Sequence, residues 1–413
     1  GEVPGLAYAV LKDGKLVRAG SYGVTDLSSR QPWCFDTICR LYSMTKTVAI
    51  CAFMSLVEEG LAALDDPLSK HLPDFELASR QQDQQQQPKR VVTLRHLVAH
   101  TSGLSYGPPL GDTPSCPAEE SYCPLIGHVD SGEVADLASW CRELSSLPTH
   151  FEPGERWEYS YATDVLGRVM EVVSGKRLDD LLHERIMAPL GLRDTAFAIS
   201  QAAQSRLASL YRRNGQGDES GEAARDALNC VDGGEQSFWV EPRQQTVLSA
   251  GGMIGTVSGG LVSTLNDFAR LCLMLQRGGE LDGVRILRPE TVAWMCDNLL
   301  PEMTGRPDSW CLETPGLGFG ALGSVAVEHP EANWYDVPGE VGWGGLAGTA
   351  WAVDRRDGLV VVSFCQVVYE LWIDEEVRKA TRAAQGYAPP SPSAVSGEAS
   401  DPVEAAAEEE AKR

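Results

Sequence analysis

Hydrophobic and polar residues alternate near both ends of the chain, a spacing that is typical of β-strands. The segment LAYAVLKDGKLVRAGSYGV alternates on both sides of Asp13-Gly14, a residue pair that favours a tight hairpin turn. Toward the C-terminus, GTAWAVD and LVVVSFCQVV flank the turn-forming run 355–358 (RRDG). Their near-continuous apolar character predicts a second hairpin, made of buried strands.

Between these hairpins, apolar residues recur every three or four positions, which is the period of a helix. The segments with this spacing are Met44 to Glu59, Thr93 to Ala99, Asp164 to Val173, Leu178 to Ile186 and Leu265 to Arg277. Strands at both ends with helices between them predict an α/β (α+β) fold. In this fold one sheet is assembled from both chain ends, and a helical lobe is inserted between them.

The same pattern sets the expected domain boundaries. We predict one domain over residues 1–388, with a sheet lobe at about 1–62 and 280–388 and a helical lobe at about 63–279. We expect a solvated loop at the glutamine-rich 81–87 and a Pro/Gly-broken loop from Pro108 to Gly132. The Pro/Ser/Ala/Glu-rich 389–413 cannot bury enough apolar surface to fold, so we predict a disordered acidic tail there.

Composition narrows the range of partners. The 413 residues include 35 Lys and Arg against 58 Asp and Glu, a net charge of −23, which disfavours nucleic acid and anionic membrane surfaces. We predict no membrane span, because Val48 to Val57 is too short and the glycines of 244–266 make that stretch a poor helix. The chain opens at Gly1, so we expect an upstream segment to have been cut away. We expect a soluble protein of the cytoplasm and make no prediction of its oligomeric state.

The cysteines favour the same compartment. Eleven is an odd number, and none of them has the C-x-x-C spacing of a metal or redox site. Cys116 and Cys123 lie close enough in the sequence to form a local bridge. We favour the alternative, free thiols in an intracellular protein.

The segment RLYSMTKTVAICAFMSLVEEG contains the first candidate for chemistry. Ser43 comes just before the predicted helix and Lys46 follows three residues later, so the two side chains are neighbours on the helix surface. A serine hydroxyl is a weak nucleophile until a nearby base takes its proton, and the helix N-terminus offers N–H groups to an oxyanion. The alternative is that Ser43 only caps the helix and Lys46 is solvated. A lysine in the first turn opposes the helix dipole, which favours the chemical interpretation.

The segment FEPGERWEYSYATDVLGRVMEVVSG provides a candidate partner. Tyr159 follows a Pro-Gly turn and precedes a helix, and a nearby ammonium would favour its phenolate, which can accept the proton of Ser43. Taken alone, Tyr159 is more typical of a packing tyrosine, and Tyr161 is a second candidate two residues later.

The segment EVGWGGLAGTAWAVD suggests where a substrate would lie. Trp343, Gly344 and Gly345 lead into the first strand of the C-terminal hairpin, and paired glycines let a ligand approach the backbone closely. The N–H of Leu346 can then serve as an oxyanion donor.

Three other patterns resemble functional motifs but lack the required context. Residues 103–107 spell G-x-S-x-G, yet a predicted helix precedes them and Pro108-Pro109 follows, unlike an α/β-hydrolase elbow. His96 and His100 have the spacing of zinc-protease ligands, but no glutamate follows the first histidine, so we interpret them as packing or capping residues. The G-x-G-x-x-G within 316–323 lacks a β-α-β context and is interpreted as structural. We therefore predict neither a metal nor an organic cofactor.

Together these segments resemble the serine β-lactamase and penicillin-binding-protein superfamily, above all its ester-cleaving branch, the family VIII carboxylesterases related to class C β-lactamases. SMTK at 43–46 matches S-x-x-K, YSY at 159–161 stands where the family has Y-x-N or Y-S-x, and WGG at 343–345 stands where β-lactamases have K-T-G and these esterases often have W-G-G or H-G-G. The likeness extends from about Pro4 to Val368. Relatives usually carry an N-terminal helix before the first strand, whereas the given sequence starts at that strand.

The resemblance implies a β-lactamase/DD-peptidase-like fold: an antiparallel sheet formed by both chain ends, flanked by helices, with an inserted helical domain. It also implies a role for each matching residue. Ser43 is expected to be the acylated nucleophile, with Lys46 and Tyr159 sharing general acid–base work. The register falls on Tyr159 rather than Tyr161, which we assign to substrate binding with Trp343, Gly344 and Gly345. The backbone N–H groups of Ser43 and Leu346 are expected to form the oxyanion hole.

Two departures from the family pattern bear on the substrate. Trp343 replaces a strand lysine that faces the carboxylate of β-lactams, which removes a contact typically worth about 1.5–3 kcal/mol. Tyr161 replaces the asparagine of Y-x-N, which helps to hold an acyl-amide side chain. Both changes favour neutral esters, so we predict a serine carboxylesterase acting on small-molecule esters. The alternatives are a β-lactamase or D-amino-acid peptidase, an acyltransferase to a small alcohol, and a catalytically silent interaction domain.

Overall fold

A computed structural model of the chain describes most of its length. The described residues are 3–75, 90–108, 117–213, 228–233, 237, 239–240, 247–254, 258–300, 316–327, 335–370 and 372–387. The predicted glutamine-rich loop at 81–87 and the predicted tail at 389–413 lie outside them.

The strands form one large antiparallel sheet and several short pairs. Their bounds are β1 (Gly5–Lys12), β2 (Lys15–Gly23), β3 (Ile38–Arg40), β4 (Leu210–Arg213), β5 (Leu228–Asp232), β6 (Met253–Ile254), β7 (Ser258–Gly259), β8 (Val262–Thr264), β9 (Glu280–Leu281), β10 (Val284–Arg285), β11 (Leu317–Phe319), β12 (Ser324–Ala326), β13 (Glu340–Gly345), β14 (Thr349–Asp354) and β15 (Leu359–Phe364). The large sheet has seven strands in the order β11-β12-β13-β14-β15-β1-β2. The predicted sheet from both chain ends is confirmed.

Both predicted hairpins are present. Asp13 and Gly14 connect β1 to β2 with φ of 49° and 75°, the left-handed conformation that a two-residue hairpin turn needs at both positions. The C-terminal hairpin β14–β15 lies beside β1, with Ala7 opposite Phe364 and Lys12 opposite Leu359. Residues 343–345 precede the first strand of this hairpin, as expected, but they also end a strand of their own, β13, and a short turn separates them from β14.

Helices make up the rest of the regular structure among the described residues. Their bounds are α1 (Thr45–Glu58), α2 (Leu68–His71), α3 (Leu94–Val98), α4 (Pro117–Glu120), α5 (Cys123–Asp130), α6 (Leu137–Ser145), α7 (Ala162–Ser174), α8 (Leu178–Leu182), α9 (Ala188–Leu190), α10 (Leu265–Gln276), α11 (Pro289–Met295) and α12 (Trp372–Ala384). All five predicted helices are found, and a π-helical turn, His183–Met187, continues α8. Short 3₁₀ turns span Tyr42–Met44 and Gln201–Arg206.

Two expectations for the middle of the chain are corrected or settled. The segment from Pro108 to Gly132 contains the helices α4 and α5 instead of being loop throughout; Pro124 is tolerated in α5 because it lies in the first turn, where no backbone donor is needed. Cys123 is a free thiol, as is every cysteine among the described residues, whereas Cys116 lies outside them.

Helices cover both faces of the sheet, which explains why β14 and β15 are apolar throughout. Phe268 of α10 packs on one face, with its ring centroid 6.4 Å from Trp351 and 6.2 Å from Phe364. Ala352 points to the other face and packs near Val377 of α12. A strand buried on both faces has no polar side, so alternation disappears. The helix α10 thus packs on the sheet although it falls within the predicted helical lobe. The lobe boundaries at 62/63 and 279/280 stay a prediction.

Candidate active site

Ser43 lies in the 3₁₀ turn that leads into α1, at a strained point of the backbone. Its neighbour Tyr42 has a φ of 46°, which is uncommon for a non-glycine residue. Gly252, with a φ of 94°, packs directly against the peptide between them: a Cβ there would collide with the Tyr42 carbonyl and lie 2.8 Å from the Ser43 nitrogen. Close packing of this kind holds an unfavourable backbone conformation in place and leaves Ser43 partly exposed.

Lys46 reaches back to Ser43 from the first turn of α1. Its ammonium nitrogen Nζ lies 3.5 Å from Ser43 Oγ, as the spacing of three residues predicts. The side chain is buried, and Nζ also donates to the Tyr106 hydroxyl at 2.8 Å and to the Gly251 carbonyl. Because several acceptors hold this amine, its position beside the serine is well defined.

The ring of Tyr159 lies beside the same amine. Lys46 Nζ lies 4.5 Å from the centroid of the Tyr159 ring. The indole Nε1–H of Trp343, from β13, donates to the Tyr159 hydroxyl at 2.9 Å. The structure therefore brings four of the predicted residues, Ser43, Lys46, Tyr159 and Trp343, into one group.

The end of β13 passes beside the nucleophile. A Cβ at Gly345 would collide with the carbonyl of Leu41, two residues before Ser43, so only glycine allows this approach. Leu346 follows in the turn between β13 and β14 and is partly exposed. Gly344 is also partly exposed, next to Trp343. This strand end borders the site as the sequence analysis expected.

Tyr161 is not on the open side of the site. Its ring is 3% exposed and packs edge-on against Tyr106 at 4.4 Å and Trp140 at 5.1 Å between centroids. Burial also raises the pKa of its hydroxyl well above the ordinary value. The expected contact with substrate is therefore replaced by a supporting one: Tyr161 ends the loop before α7, and its ring enters the core behind Tyr106.

Tyr106 was missed because it lies in the G-x-S-x-G pattern that was set aside. The pattern is indeed no nucleophile elbow, since Ser105 is buried and accepts a hydrogen bond from the Gly107 N–H at 3.0 Å. The next residue, however, presents its hydroxyl to Lys46. A tyrosine in a Pro/Gly-bounded loop carries no local signal of such a role.

A buried carboxylate with a glycine segment was also missed. Asp164 Oδ1, on the first turn of α7, accepts from Ser249 Oγ at 2.6 Å and from the Gly251 N–H at 2.8 Å. Burial raises the pKa of this carboxyl to about 6, against the opposing charge of Lys46 and these hydrogen bonds. The sequence indicates only that the glycines of 244–266 make that stretch a poor helix, and it gives no link between them and the site.

Aromatic side chains surround Tyr159. Trp157, Phe319 and Trp343 pack around it, with the Trp343 and Tyr159 ring centroids 5.2 Å apart. His100 packs against its ring at 4.9 Å. Burial and the Lys46 charge keep the pKa of His100 well below its ordinary value. The imidazole is therefore neutral, and its Nδ1 accepts from the Ser160 N–H at 3.2 Å.

The other set-aside patterns have structural roles. His96 closes a capping box at the start of α3 by accepting from the Thr93 N–H at 3.1 Å, so the interpretation of His96 and His100 as capping and packing residues is confirmed. Gly318 and Gly323 lie in and beside the antiparallel pair β11–β12, where a Cβ at Gly318 would collide with Asn298. Their role is structural, as predicted.

Comparison with known proteins identifies the family. The family model described as Beta-lactamase matches residues 1–386. The chain belongs to the beta-lactamase family. Esterase EstB of Burkholderia gladioli is 30% identical over 373 residues, which cover 89% of this chain and 86% of that protein. Monacolin J acid methylbutanoyltransferase of Aspergillus terreus is 28% identical over 373 residues, covering 84% and 80%.

Solved structures agree with this membership. The structure titled "EstCE1, a hydrolase with promiscuous acyltransferase activity" superposes with a TM-score of 0.72 at 26% identity and covers 92% of this chain and 94% of that one. The predicted place in the serine β-lactamase and penicillin-binding-protein superfamily, on its esterase branch, is confirmed. This beta-lactamase-family chain is thus a member of a serine hydrolase family with esterase and acyltransferase relatives. Among the described residues, no helix has both the length and the apolar character needed to cross a bilayer.

Proposed function

We propose that the protein cleaves neutral carboxylic esters through an acyl-enzyme on Ser43. The observation that carries the proposal is the position of Lys46, whose Nζ lies 3.5 Å from Ser43 Oγ and 4.5 Å from the centre of the Tyr159 ring. A nucleophile and a candidate base held by one cation are the parts that acyl transfer needs.

The first half of the reaction forms the acyl-enzyme. The Lys46 ammonium and the Trp343 N–H stabilise a Tyr159 phenolate, which takes the Ser43 proton as Oγ attacks the ester carbonyl. The negative oxygen of the tetrahedral intermediate accepts from the N–H groups of Ser43 and Leu346. The C–O bond then breaks, and the alcohol leaves with the proton that Tyr159 returns.

The second half frees the enzyme. Water attacks the acyl carbon while Tyr159 accepts a proton from it, and the same two N–H groups hold the second oxyanion. The bond to Ser43 Oγ breaks, Oγ regains its proton from Tyr159, and the carboxylic acid departs. Tyr159 thus returns each proton that it takes, so the two half-reactions balance without a cofactor.

The preference for neutral esters is supported by Trp343. It stands where the family resemblance puts a lysine that would face a substrate carboxylate, and its N–H is directed to Tyr159 instead. The partly exposed rings of Trp343 and Tyr159 offer an apolar surface to an acyl or alcohol group, and the buried rings of Phe319 and Trp157 pack behind them. The name of Esterase EstB agrees with this choice.

A panel of p-nitrophenyl esters of increasing acyl length, run beside nitrocefin, tests the proposal. We expect the neutral esters to turn over faster, and Ser43→Ala to reduce kcat by at least roughly a thousandfold. A fluorophosphonate should label Ser43, and the Ser105→Ala variant should be labelled as readily as wild type. Faster nitrocefin hydrolysis would favour a β-lactamase or peptidase, and absence of any label would favour a silent domain.

Acyl transfer to a small alcohol is the second candidate. It is favoured by the relatives named as a methylbutanoyltransferase and as a hydrolase with promiscuous acyltransferase activity. In this case an alcohol replaces water at the acyl carbon, and the same Tyr159 accepts its proton. The ratio of new ester to acid in alcohol–water mixtures separates the two, since pure hydrolysis at high alcohol concentration excludes transfer.

A further inference from the structure

Asp164 is a buried carboxylate that the reaction sequence above does not use. It is fully enclosed on the first turn of α7, and only its Oδ1 is hydrogen-bonded, to Ser249 and Gly251. Its Oδ2 is buried and has no hydrogen-bond partner among the described residues. Leaving a buried carboxylate oxygen unsatisfied costs stability, so this position calls for a functional explanation.

The backbone of Gly251 connects Asp164 to the amine of Lys46. Gly251 donates its N–H to Asp164 at 2.8 Å and accepts from Lys46 Nζ through its carbonyl. A Cβ at Gly251 would collide with the Asp164 carboxylate. Only glycine lets the carboxylate come so close, and a displacement of Gly251 would carry its carbonyl away from Lys46.

The same segment also supports the nucleophile. Gly252 follows directly and packs against the peptide between Tyr42 and Ser43. Asp164 therefore anchors a two-glycine segment whose first member holds Lys46 and whose second member holds the Ser43 backbone. Both contacts depend on where the carboxylate fixes the Gly251 N–H.

The charges of Lys46 and Asp164 also support a link between these two residues. Lys46 is 4% exposed, and a buried ammonium is costly unless a negative charge lies nearby. Among the described residues, the titratable groups whose charges act on Asp164 or respond to it are Lys46 from α1, Cys141 from α6 and Tyr161 beside α7. Burial holds the cysteine and the tyrosine neutral, because it raises the pKa of each well above its ordinary value. Of these groups, Asp164 is therefore the one whose negative charge acts on the Lys46 ammonium.

We propose that Asp164 is a positioning residue for ester cleavage: its carboxylate fixes the Gly251 carbonyl on Lys46 and keeps that side chain an ammonium beside Tyr159. The inference rests on the proposed function and adds to it the group that maintains the charge of the Lys46–Tyr159 pair. Asp164 itself exchanges no proton with the substrate and touches none of the reacting atoms.

The test is the pH profile of kcat/KM for wild type and Asp164→Asn with a neutral p-nitrophenyl ester. The amide oxygen can still accept from Ser249 and Gly251, but the charge is gone. We expect kcat to fall about tenfold to a hundredfold at pH 7 with KM little changed. The wild-type carboxyl has a pKa of about 6, so wild-type activity should fall as the pH drops through that value. The variant should lack this step.

Asp267→Asn is the matched control. Asp267 is also buried on the first turn of a helix, α10, and accepts from Thr195 Oγ1 at 3.0 Å and from the Asp194 N–H at 2.8 Å. Burial raises its pKa as well. None of its hydrogen bonds in the described part of the chain involves a residue of the site, so its variant should lose stability while the step near pH 6 persists.

A second variant keeps the carboxylate and moves the peptide. Gly251→Ala forces Gly251 away from Asp164 and should reduce kcat by at least as much as Asp164→Asn. If Asp164→Asn has the wild-type profile, or changes only as Asp267→Asn does, the inference is overturned while ester cleavage stands. If wild type neither cleaves esters nor reacts with a fluorophosphonate, the proposed function and the inference both fail.

Discussion

The indole N–H of Trp343 donates a hydrogen bond of 2.9 Å to the phenolic oxygen of Tyr159. Trp343 lies on β13 and Tyr159 in the loop before α7, 184 positions apart in the chain. A donor aimed at that oxygen stabilises negative charge on it, in the same sense as the Lys46 ammonium beside the ring. A tryptophan at this strand position therefore stabilises the proposed base, Tyr159, and also occupies the place of a cation.

Trp343→Phe tests this hydrogen bond, because it removes the donor and keeps an aromatic ring in the cluster. We expect kcat for a neutral ester to fall about tenfold to a hundredfold, the usual effect of losing a hydrogen bond to a charged acceptor. KM should change little.

Trp157→Phe is the control for that variant. Trp157 is buried in the same cluster, but its indole N–H has no hydrogen-bond partner in the part of the chain that the structure describes. We expect lower thermal stability with kcat close to that of wild type. Equal losses of kcat in the two variants would show that ring packing, and not the hydrogen bond to Tyr159, is what matters.

The two tyrosine hydroxyls near Lys46 should differ in importance. Tyr159→Phe removes the group that is proposed to move the proton and should reduce kcat/KM at least roughly a thousandfold. Tyr106→Phe removes only an acceptor 2.8 Å from Lys46 Nζ, and we expect a loss of about tenfold, the effect of one hydrogen bond to a charged group. Steady-state kinetics on one ester decides the order. A larger loss for Tyr106→Phe would make that residue, and not Tyr159, the base.

Local pattern was enough to predict the parts of the site that are fixed by local geometry. Ser43 and Lys46 are one helical turn apart, so their contact follows from the sequence. The two hairpins follow from alternation and from turn residues such as Asp13 and Gly14. The place of Tyr159 and Trp343 beside them came from the order of motifs in a related family.

The missed residues are those whose neighbours are set by tertiary packing alone. Asp164 and Gly251 are 87 positions apart, and neither has a spacing that marks a contact. Tyr106 lies in a loop whose letters match the motif of a different fold. Tyr161 is two residues from Tyr159, but the start of α7 directs its ring into the core beside Trp140. Periodicity does not carry this information.

Asp26 provides a test of stability against pH, away from the active site. Its carboxylate accepts from the Ser29 N–H, Ser209 Oγ and the Tyr211 hydroxyl, which lowers the pKa of Asp26 to about 2. A lowered folded-state pKa stabilises the protein above the unfolded value of about 4, and the stabilisation is lost as pH falls toward 2.

We therefore expect Asp26→Asn to lower the melting temperature at pH 7 and the difference from wild type to shrink as pH falls below about 4. Thermal unfolding between pH 3 and pH 7 measures it. Asp36→Asn, at an exposed position, should leave the melting temperature nearly unchanged across that range. A constant difference between Asp26→Asn and wild type at all pH values would mean that its charge is unimportant.

Gly252 is the sharpest test of how the nucleophile is held. Both Gly252 and Gly60 have positive φ, 94° and 77°, but a Cβ at Gly60 would meet nothing within 4 Å, whereas one at Gly252 would collide with the Tyr42 carbonyl. Gly60→Ala should therefore cost about 1 kcal/mol of unfolding free energy from backbone strain alone, with kcat intact. Gly252→Ala carries the same strain and also displaces the Ser43 N–H that is proposed to bind the oxyanion. We expect a larger loss of stability and a fall in kcat of at least about a hundredfold, typical of losing one oxyanion donor.

Denaturant unfolding and kinetics on both variants measure the two effects separately. If Gly252→Ala lost stability but kept its kcat, the packing of Gly252 against Ser43 would have no part in catalysis.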